Sequence, residues 1–256
     1  MGEIHPVWDE PLIGLLFGHF WAKSAAGHNE ARPEEFVFGE AHREGWSAAV
    51  ERFVLDLAAN RFPGASRVVC VDPNGSLGAP FLMEVMPDSP LVVLVRDPRD
   101  AVASSLKAHQ KGGWLYEQSD EARRNRWGGV PDDDPDKFVR GRARFYSDNV
   151  GAAVRAYDAH QGPKTLVRYE DLKADTLPEM LRLYARLGIP VDGEDLSRAV
   201  EKHLWENLPA GEKGEGKFNR KARPGSWGED LTPRQAEIVG RIAAPLLERF
   251  YARCLT

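Results

Sequence analysis

Residues Leu91–Ser105, LVVLVRDPRDAVASS, decide how this chain is read. Five apolar, mostly β-branched residues end abruptly in Arg96-Asp97-Pro98-Arg99-Asp100, and a helix-compatible run of small residues follows. The pattern predicts a buried strand, a charged turn and a helix start with proline in its first turn. In open parallel sheets, ligands collect beyond the carboxyl ends of the strands, where a helix N-terminus offers free N–H groups and a dipole that favours anions. Arg96 stands at that strand end, and Ser104 follows eight residues later. Converging there, a guanidinium and a hydroxyl grip a phosphate through charge-assisted hydrogen bonds. A strand-end Arg-Asp pair equally serves to cap a helix, so the pair alone does not choose between the two roles.

Two later segments extend the reading. Lys164–Gly188 holds a short strand around Leu166 and Val167, then Tyr169-Glu170-Asp171-Leu172, then a helix. Thr176 with Glu179 predicts a capping box; Leu177, Met180, Leu181, Tyr184 and Leu187 form an apolar stripe that Gly188 and Pro190 end. Gly214–Thr232 is loop-forming, and between Lys217 and Trp227 it carries four basic residues and no acidic one. A basic loop of this kind is either a solvated surface or the grip on an anion.

Together, Arg96-Asp97-Pro98-Arg99-Asp100 with Ser104, the Tyr169–Leu172 element, and Phe218-x-Arg220-Lys221 followed by Gly225-x-Trp227 resemble the nucleotide-binding motifs of sulfotransferases. These enzymes use 3′-phosphoadenosine 5′-phosphosulfate (PAPS). The resemblance implies that Arg96, Ser104, Arg220 and Lys221 hold the 3′-phosphate. It also implies that Tyr169 lies near the adenine, with Trp205, in the segment His203–Asn207, as a second aromatic. A glycine commonly follows the Arg-Lys pair in that family, whereas this chain has Ala222. If the backbone needs positive φ there, alanine costs about 1 kcal/mol.

The resemblance further implies a P-loop-NTPase-like α/β fold with a central parallel sheet flanked by helices. One sulfotransferase-like domain is expected over residues 1–256. The Gly-rich loop that cradles a 5′-phosphosulfate in this family has no counterpart in the sequence. The expectation is therefore a domain incomplete at its N-terminus, with the family's first strand and loop missing. A late start codon, trimming and evolutionary loss all leave the same sequence. Asp72–Gly78, DPNGSLG, resembles an accessory loop of bacterial relatives, with Val71 where a lysine would stand.

Composition narrows the function. With 34 basic and 39 acidic residues the formal net charge is −5, which argues against general nucleic-acid binding and suits a small anionic ligand met by a local basic loop. Cys70 and Cys254 lie far apart without metal-ligand spacing, as expected of a cytoplasmic chain with neither disulfide framework nor zinc site. No membrane partner is expected, since no apolar run approaches the roughly 18 residues of a span. Asp132-Asp133-Asp134 reads as solvated rather than as a cation site, and no metal is expected. Arg140, Arg142 and Arg144 read as the solvated face of a helix.

The implied reaction moves a sulfuryl group from PAPS to a hydroxyl or amine of a small molecule. It needs in-line placement, a base for the acceptor proton and stabilisation of the leaving 5′-phosphate. Glu3 and His5 are the candidate bases, ahead of Asp72 and His109. Without the Gly-rich loop activity is expected to be impaired. The alternative is a non-catalytic nucleotide-binding or interaction protein derived from a sulfotransferase. A kinase-like NTPase is disfavoured for want of a Walker loop.

Overall fold

A computed structural model describes residues 4–8, 40–71, 76–116, 131 and 133–252, the first stretch by its backbone alone. The apolar run Pro11–Phe20 reads as a short helix and the Gly-, Trp- and charge-rich segment 111–137 as a surface lid over the acceptor; the former and most of the latter lie outside the described residues, as do Glu3, the loop residues Asp72–Gly75, Asp132 and Cys254. The chain forms two compact units, Met1–Leu91 with Asn149–Lys164, and Val92–Asp148 with Thr165–Thr256.

In the first unit β1 (Ile4–Trp8) pairs in parallel with β2 (Arg67–Val71), Ile4 opposite Arg67 and Trp8 opposite Val71. The sequence pattern does not announce β1, because Pro6 interrupts it. A proline lacks the ladder donor but is tolerated at a sheet edge, and among the described residues β1 pairs with β2 alone. The crossover includes helix α1 (Arg43–Arg61). Trp46 stacks on Phe81 of α2 (Ala79–Val85), with centroids 5.4 Å apart, and Val54 and Val85 complete this small core. The helical spacing of Trp46, Ala49, Val50, Phe53, Val54 and Leu57 predicts one buried face, yet Phe53 and Leu57 are exposed. The seven-residue α2 covers only the row Trp46, Val50, Val54.

The second sheet joins β3 (Leu91–Val95) to β4 (Lys164–Arg168). The sequence predicts a wholly buried β3, but its sides differ: Val93 and Val95 are buried while Val92 and Leu94 are exposed. Helix α3 (Pro98–His109) follows, with the Asp97 side chain accepting the N–H of Arg99 at 2.8 Å as N-cap.

The core of the second unit packs Val102, Ala103 and Leu106 of α3 against Phe138, Val139 and Ala143 of α4 (Pro135–Ala159). Asp134, in the acidic triplet, accepts the N–H of Lys137 at the start of that helix. Arg140 and Arg144 are exposed as expected, but Arg142 is not on the solvated face. Burial lowers its pKa to about 10, and its guanidinium lies 4.9 Å from the ring of Phe145.

Beyond β4 come α5 (Tyr169–Ala174), α6 (Thr176–Arg186) and α7 (Gly193–His203). The capping box expected at Thr176 does not form. Asp175 takes the cap position without a side-chain bond, and Thr176 Oγ1 donates back to the Leu172 carbonyl at 2.8 Å. The preceding helix ends within a residue of Thr176, so the hydroxyl meets a carbonyl four residues back before it meets a free N–H. Gly188 does end α6, at φ 64°. The N–H groups of Gly188 and Ile189 return to the carbonyls of Ala185 and Tyr184, the Schellman arrangement.

After the basic loop lie α8 (Trp227–Asp230), α9 (Pro233–Ile242) and α10 (Ala244–Tyr251). The sequence Thr232-Pro233-Arg234-Gln235 predicts a capping box with proline at the first helical position, and Thr232 and Gln235 form it at the start of α9. The apolar spacing predicts one helix through Phe250 kinked at Pro245; the helix instead breaks at Ala243 and restarts as α10. No helix among the described residues is long and apolar enough to cross a membrane.

Candidate active site

Arg96 emerges from β3 with its backbone clamped by one hydroxyl. Tyr146 Oη accepts its N–H at 3.0 Å and donates to its carbonyl at 2.5 Å. Burial, offset in part by that backbone bond, pushes the Tyr146 phenol up to about 12, so it remains a donor. The guanidinium lies over the ring of Tyr169, 4.6 Å from its centroid. Its Nε is buried and meets no hydrogen-bond partner among the described residues. A buried cationic donor without an acceptor is costly, and an anionic ligand would supply the acceptor.

The rest of the Tyr169–Leu172 element is scaffold. Glu170 accepts the N–H of Asp97 through Oε1 and the Tyr251 hydroxyl through Oε2, each at 2.9 Å. The end of β3, the start of α5 and the C-terminal helix thus meet at one carboxylate. Burial and that carboxylate raise the Tyr251 pKa. Asp171 pairs with Arg168, whose Nη1 donates to the Phe250 carbonyl at 2.9 Å.

The second Asp of the Arg96–Asp100 motif brings in the basic loop. Asp100 is buried, accepting the N–H of Gly225 at 2.6 Å and that of Trp227 at 2.9 Å. Burial raises its pKa, opposed by these two bonds and by the Arg96 charge. Asp97 is spent on Arg99, with Oδ2 2.7 Å from Nη2, and the Arg99 guanidinium lies 4.4 Å from the centroid of the Trp227 ring. Thus a motif at the end of β3 fixes a loop 125 residues further along.

Within that loop Ala222 has φ 47°, the one non-glycine with positive φ among the described residues. The strain expected where a glycine commonly stands is therefore present. Arg220 directs both terminal nitrogens at Asp230, Nη1 to Oδ1 at 3.1 Å and Nη2 to Oδ2, and Nη1 also lies 3.5 Å from Glu215. Lys221 donates to Glu229 at 3.0 Å and to Asp230 at 3.1 Å. Burial acts to raise the Asp230 pKa, but the bonds from Arg220 and Lys221 hold it below the usual value, and Asp230 and Glu215 in turn keep that of Arg220 raised against burial.

Ser104 and Arg220 share the wall of one cavity of about 390 Å³, with Lys107, Lys111, Lys217, Trp114 and Phe218 also on it. Among the described residues Glu215 is the single acid of its lining. Gly113 and Gly216 allow the walls to approach. A Cβ on Gly113 would stand 2.2 Å from the Lys107 carbonyl oxygen, and one on Gly216 2.9 Å from that of Gly112. Phe218 is 74% exposed and meets Trp114 edge-on at 5.2 Å. The motif pointed to Phe218, but Lys107, Lys111 and Trp114 carry no pattern of their own. Helical spacing from Ser104 was the signal available for Lys107, whereas Lys111 lies in the turn beyond the end of α3.

The other expected site residues stand apart from this lining. Arg96 and Tyr169 stack on one another at the end of β3, and Lys221 turns to the acids of α8. Trp205 begins a 3₁₀ turn. Lys213 Nζ lies 4.7 Å from its ring centroid and donates to its carbonyl, while the indole Nε1 is buried without a partner among the described residues. Glu3 is outside the described residues, and of His5 the backbone alone is described, in β1 opposite Val68. His109 is a structural histidine. Its ring packs 5.3 Å from that of Phe138, Nδ1 is 2.8 Å from the Ser105 carbonyl, and burial lowers its pKa. Among the described residues no group of three His, Cys, Asp or Glu could hold a metal ion.

A strand-end arginine, a helix hydroxyl and a returning basic loop are thus carried on an α/β scaffold. The fold is that of two solved complexes of retinol dehydratase, one with androsterone and the inactive cofactor PAP, the other with retinol and PAP. Each matches with a TM-score of 0.53, at 18% and 19% identity, over 96% of this chain and 80% of the other. The family model described as "Sulfotransferase family" matches residues 20–193, and the chain belongs to that family, whose members carry out sulfuryl transfer. It is similar to cytosolic sulfotransferase 17 of Arabidopsis thaliana, 25% identical over 181 residues. That match takes in 62% of this chain and 49% of the relative, so the chain spans about half its length. With cytosolic sulfotransferase 16 of the same plant the identity is 24% over 295 aligned positions, 95% of this chain and 82% of the relative. Arg96, Ser104 and Tyr169 fall inside the family match; Trp205, Arg220 and Lys221 lie beyond it.

Proposed function

We propose that this chain binds PAPS and transfers its sulfuryl group to a hydroxyl or amine of a small molecule, in the cytoplasm and without a metal. Arg96, Ser104 and Arg220 hold the 3′-phosphate, and Lys221 adds charge from the far side of the loop. Tyr169 and Trp205 flank the adenine. When bound, PAPS supplies the sulfuryl group and the 5′-phosphate to which sulfur is bonded. The acceptor oxygen or nitrogen forms the new bond to sulfur as the bond to that phosphate oxygen breaks. Glu3 or His5 takes the acceptor proton.

One observation carries the reading: Ser104 and Arg220, 116 residues apart in sequence, line a single cavity rich in lysine. The buried, unpartnered Nε of Arg96 supports it, because a donor in that state fits an anion. Names of the plant relatives are in keeping with a cytoplasmic enzyme.

Titration of the purified protein with 3′-phosphoadenosine 5′-phosphate (PAP) and with AMP tests the binding half. Binding of PAP at least tenfold tighter than AMP is expected, with the preference lost in Arg96→Ala. Equal affinity of the unmodified protein for the two nucleotides would overturn it. Single-turnover transfer from labelled PAPS tests the chemistry; selective PAP binding without transfer would make the chain a nucleotide-binding protein.

A further inference from the structure

We propose that Asp230 is a positioning residue that fixes Arg220 from behind, so that its guanidinium is presented to the cavity in one orientation. The inference rests on the reading of that cavity as the 3′-phosphate site. The Asp230 side chain is 5% exposed and is absent from the cavity lining, whereas Arg220, which it grips, is part of that lining. The contact is bidentate, each terminal nitrogen of Arg220 meeting its own carboxylate oxygen. Such a fork-to-fork pair fixes the plane of the guanidinium as well as its place. Lys221 Nζ lies within 3.1 to 3.3 Å of the same two oxygens, so one carboxylate orders both cations of the Arg-Lys pair.

Asp230 ends α8, whose first N–H is bound by Asp100 at the start of α3. The carboxylate is thereby referred to the same helix that carries Ser104. The two phosphate-facing groups keep a fixed spacing through Asp100, α8 and Asp230. A site that recognises a tetrahedral anion depends on such supporting contacts, because a loose arginine loses entropy on every binding event.

Glu215 has the opposite placement. It lines the cavity, its side chain is 77% exposed, and it reaches Arg220 Nη1 at 3.5 Å. A carboxylate in front of the arginine competes with an incoming phosphate, while one behind it orients. The two acids therefore differ in the sign of their effect.

The experiment measures PAP and AMP affinities by calorimetry for the full chain, Asp230→Asn and Glu215→Gln. Asp230→Asn is expected to weaken PAP at least tenfold while changing AMP less than twofold, a selectivity that general loosening of the fold would not give. Glu215→Gln is expected to tighten PAP about threefold. If Asp230→Asn does not fold, Asp230→Glu keeps the charge but displaces the fork, and a reduced PAP-to-AMP ratio is expected of it. Unchanged or tighter PAP binding by the Asp230 variant overturns the positioning role. Unmodified protein that does not distinguish PAP from AMP overturns the parent reading as well, so the two failures are told apart.

Discussion

Asp100 is the joint on which the site depends, and its replacement has a cost that follows from two hydrogen bonds. In Asp100→Ala the N–H groups of Gly225 and Trp227 lose their acceptor. A donor left unsatisfied costs about 1–3 kcal/mol, with the low end for one that water reaches. Gly225 is exposed and Trp227 half-buried, so about 1 and about 2 kcal/mol apply to the two. Against this stands the relief of a buried charge. Burial outweighs the two bonds and Arg96 in setting the Asp100 pKa, so ionising the group disfavours the native state. The net loss is therefore about 2 kcal/mol, or a fall in Tm of about 4–8 °C for a chain of this size. Asp100→Asn keeps one acceptor but turns an amide N–H toward the second donor, and falls between the unmodified protein and alanine. Denaturant unfolding with a common slope measures the difference, and PAP titration of the same samples reports whether the loop loosens with it. Unchanged stability in Asp100→Ala, or full PAP affinity alongside the loss, would refute the reasoning that this carboxylate holds the loop.

Three further outcomes are expected. Ala222→Gly removes the positive-φ strain and raises stability by up to about 1 kcal/mol, after allowing for the greater freedom of glycine in the unfolded chain; an unchanged midpoint would show that the strain is not stored there. Glu170→Ala strips the acceptor from the Asp97 N–H and the Tyr251 hydroxyl, costing about 3 kcal/mol, whereas Asp171→Ala, an exposed partner of Arg168, costs under about 1 kcal/mol. The third outcome concerns acid. The folded pKa of Asp230 is depressed below 3.8, so its contribution is present above that value and lost as pH falls through the folded pKa. Asp230→Asn should therefore show a shallower fall of stability in that acid window than the unmodified chain, measured by denaturant titration at stepped pH.

What could be read without coordinates was local. The β-branched run Leu91–Val95, its stop at Arg96-Asp97-Pro98 and the Thr232–Gln235 cap each follow from near neighbours in the chain, and each forms as expected. Gly188 and Pro245 act where they stand, because φ and a missing N–H belong to the residue itself. The motifs also placed Arg96 at a strand end and Arg220 in a loop.

Other features depended on how neighbouring elements end, pack and pair. Thr176 looked like a cap until the end of α5 supplied a nearer carbonyl, and Arg142 looked solvated until burial reached it. Lys221 carried the same charge as Arg220 in the motif, yet Glu229 and Asp230 turn it aside while Arg220 keeps a place on the cavity wall. By itself the sequence determined which residues could bear an anion, since charge, backbone freedom and periodicity are written into each residue and its near neighbours. Tertiary structure alone decided which of them face one cavity. Burial and pairing are set by groups brought together over more than a hundred residues, as Asp100 is with Gly225 and Trp227.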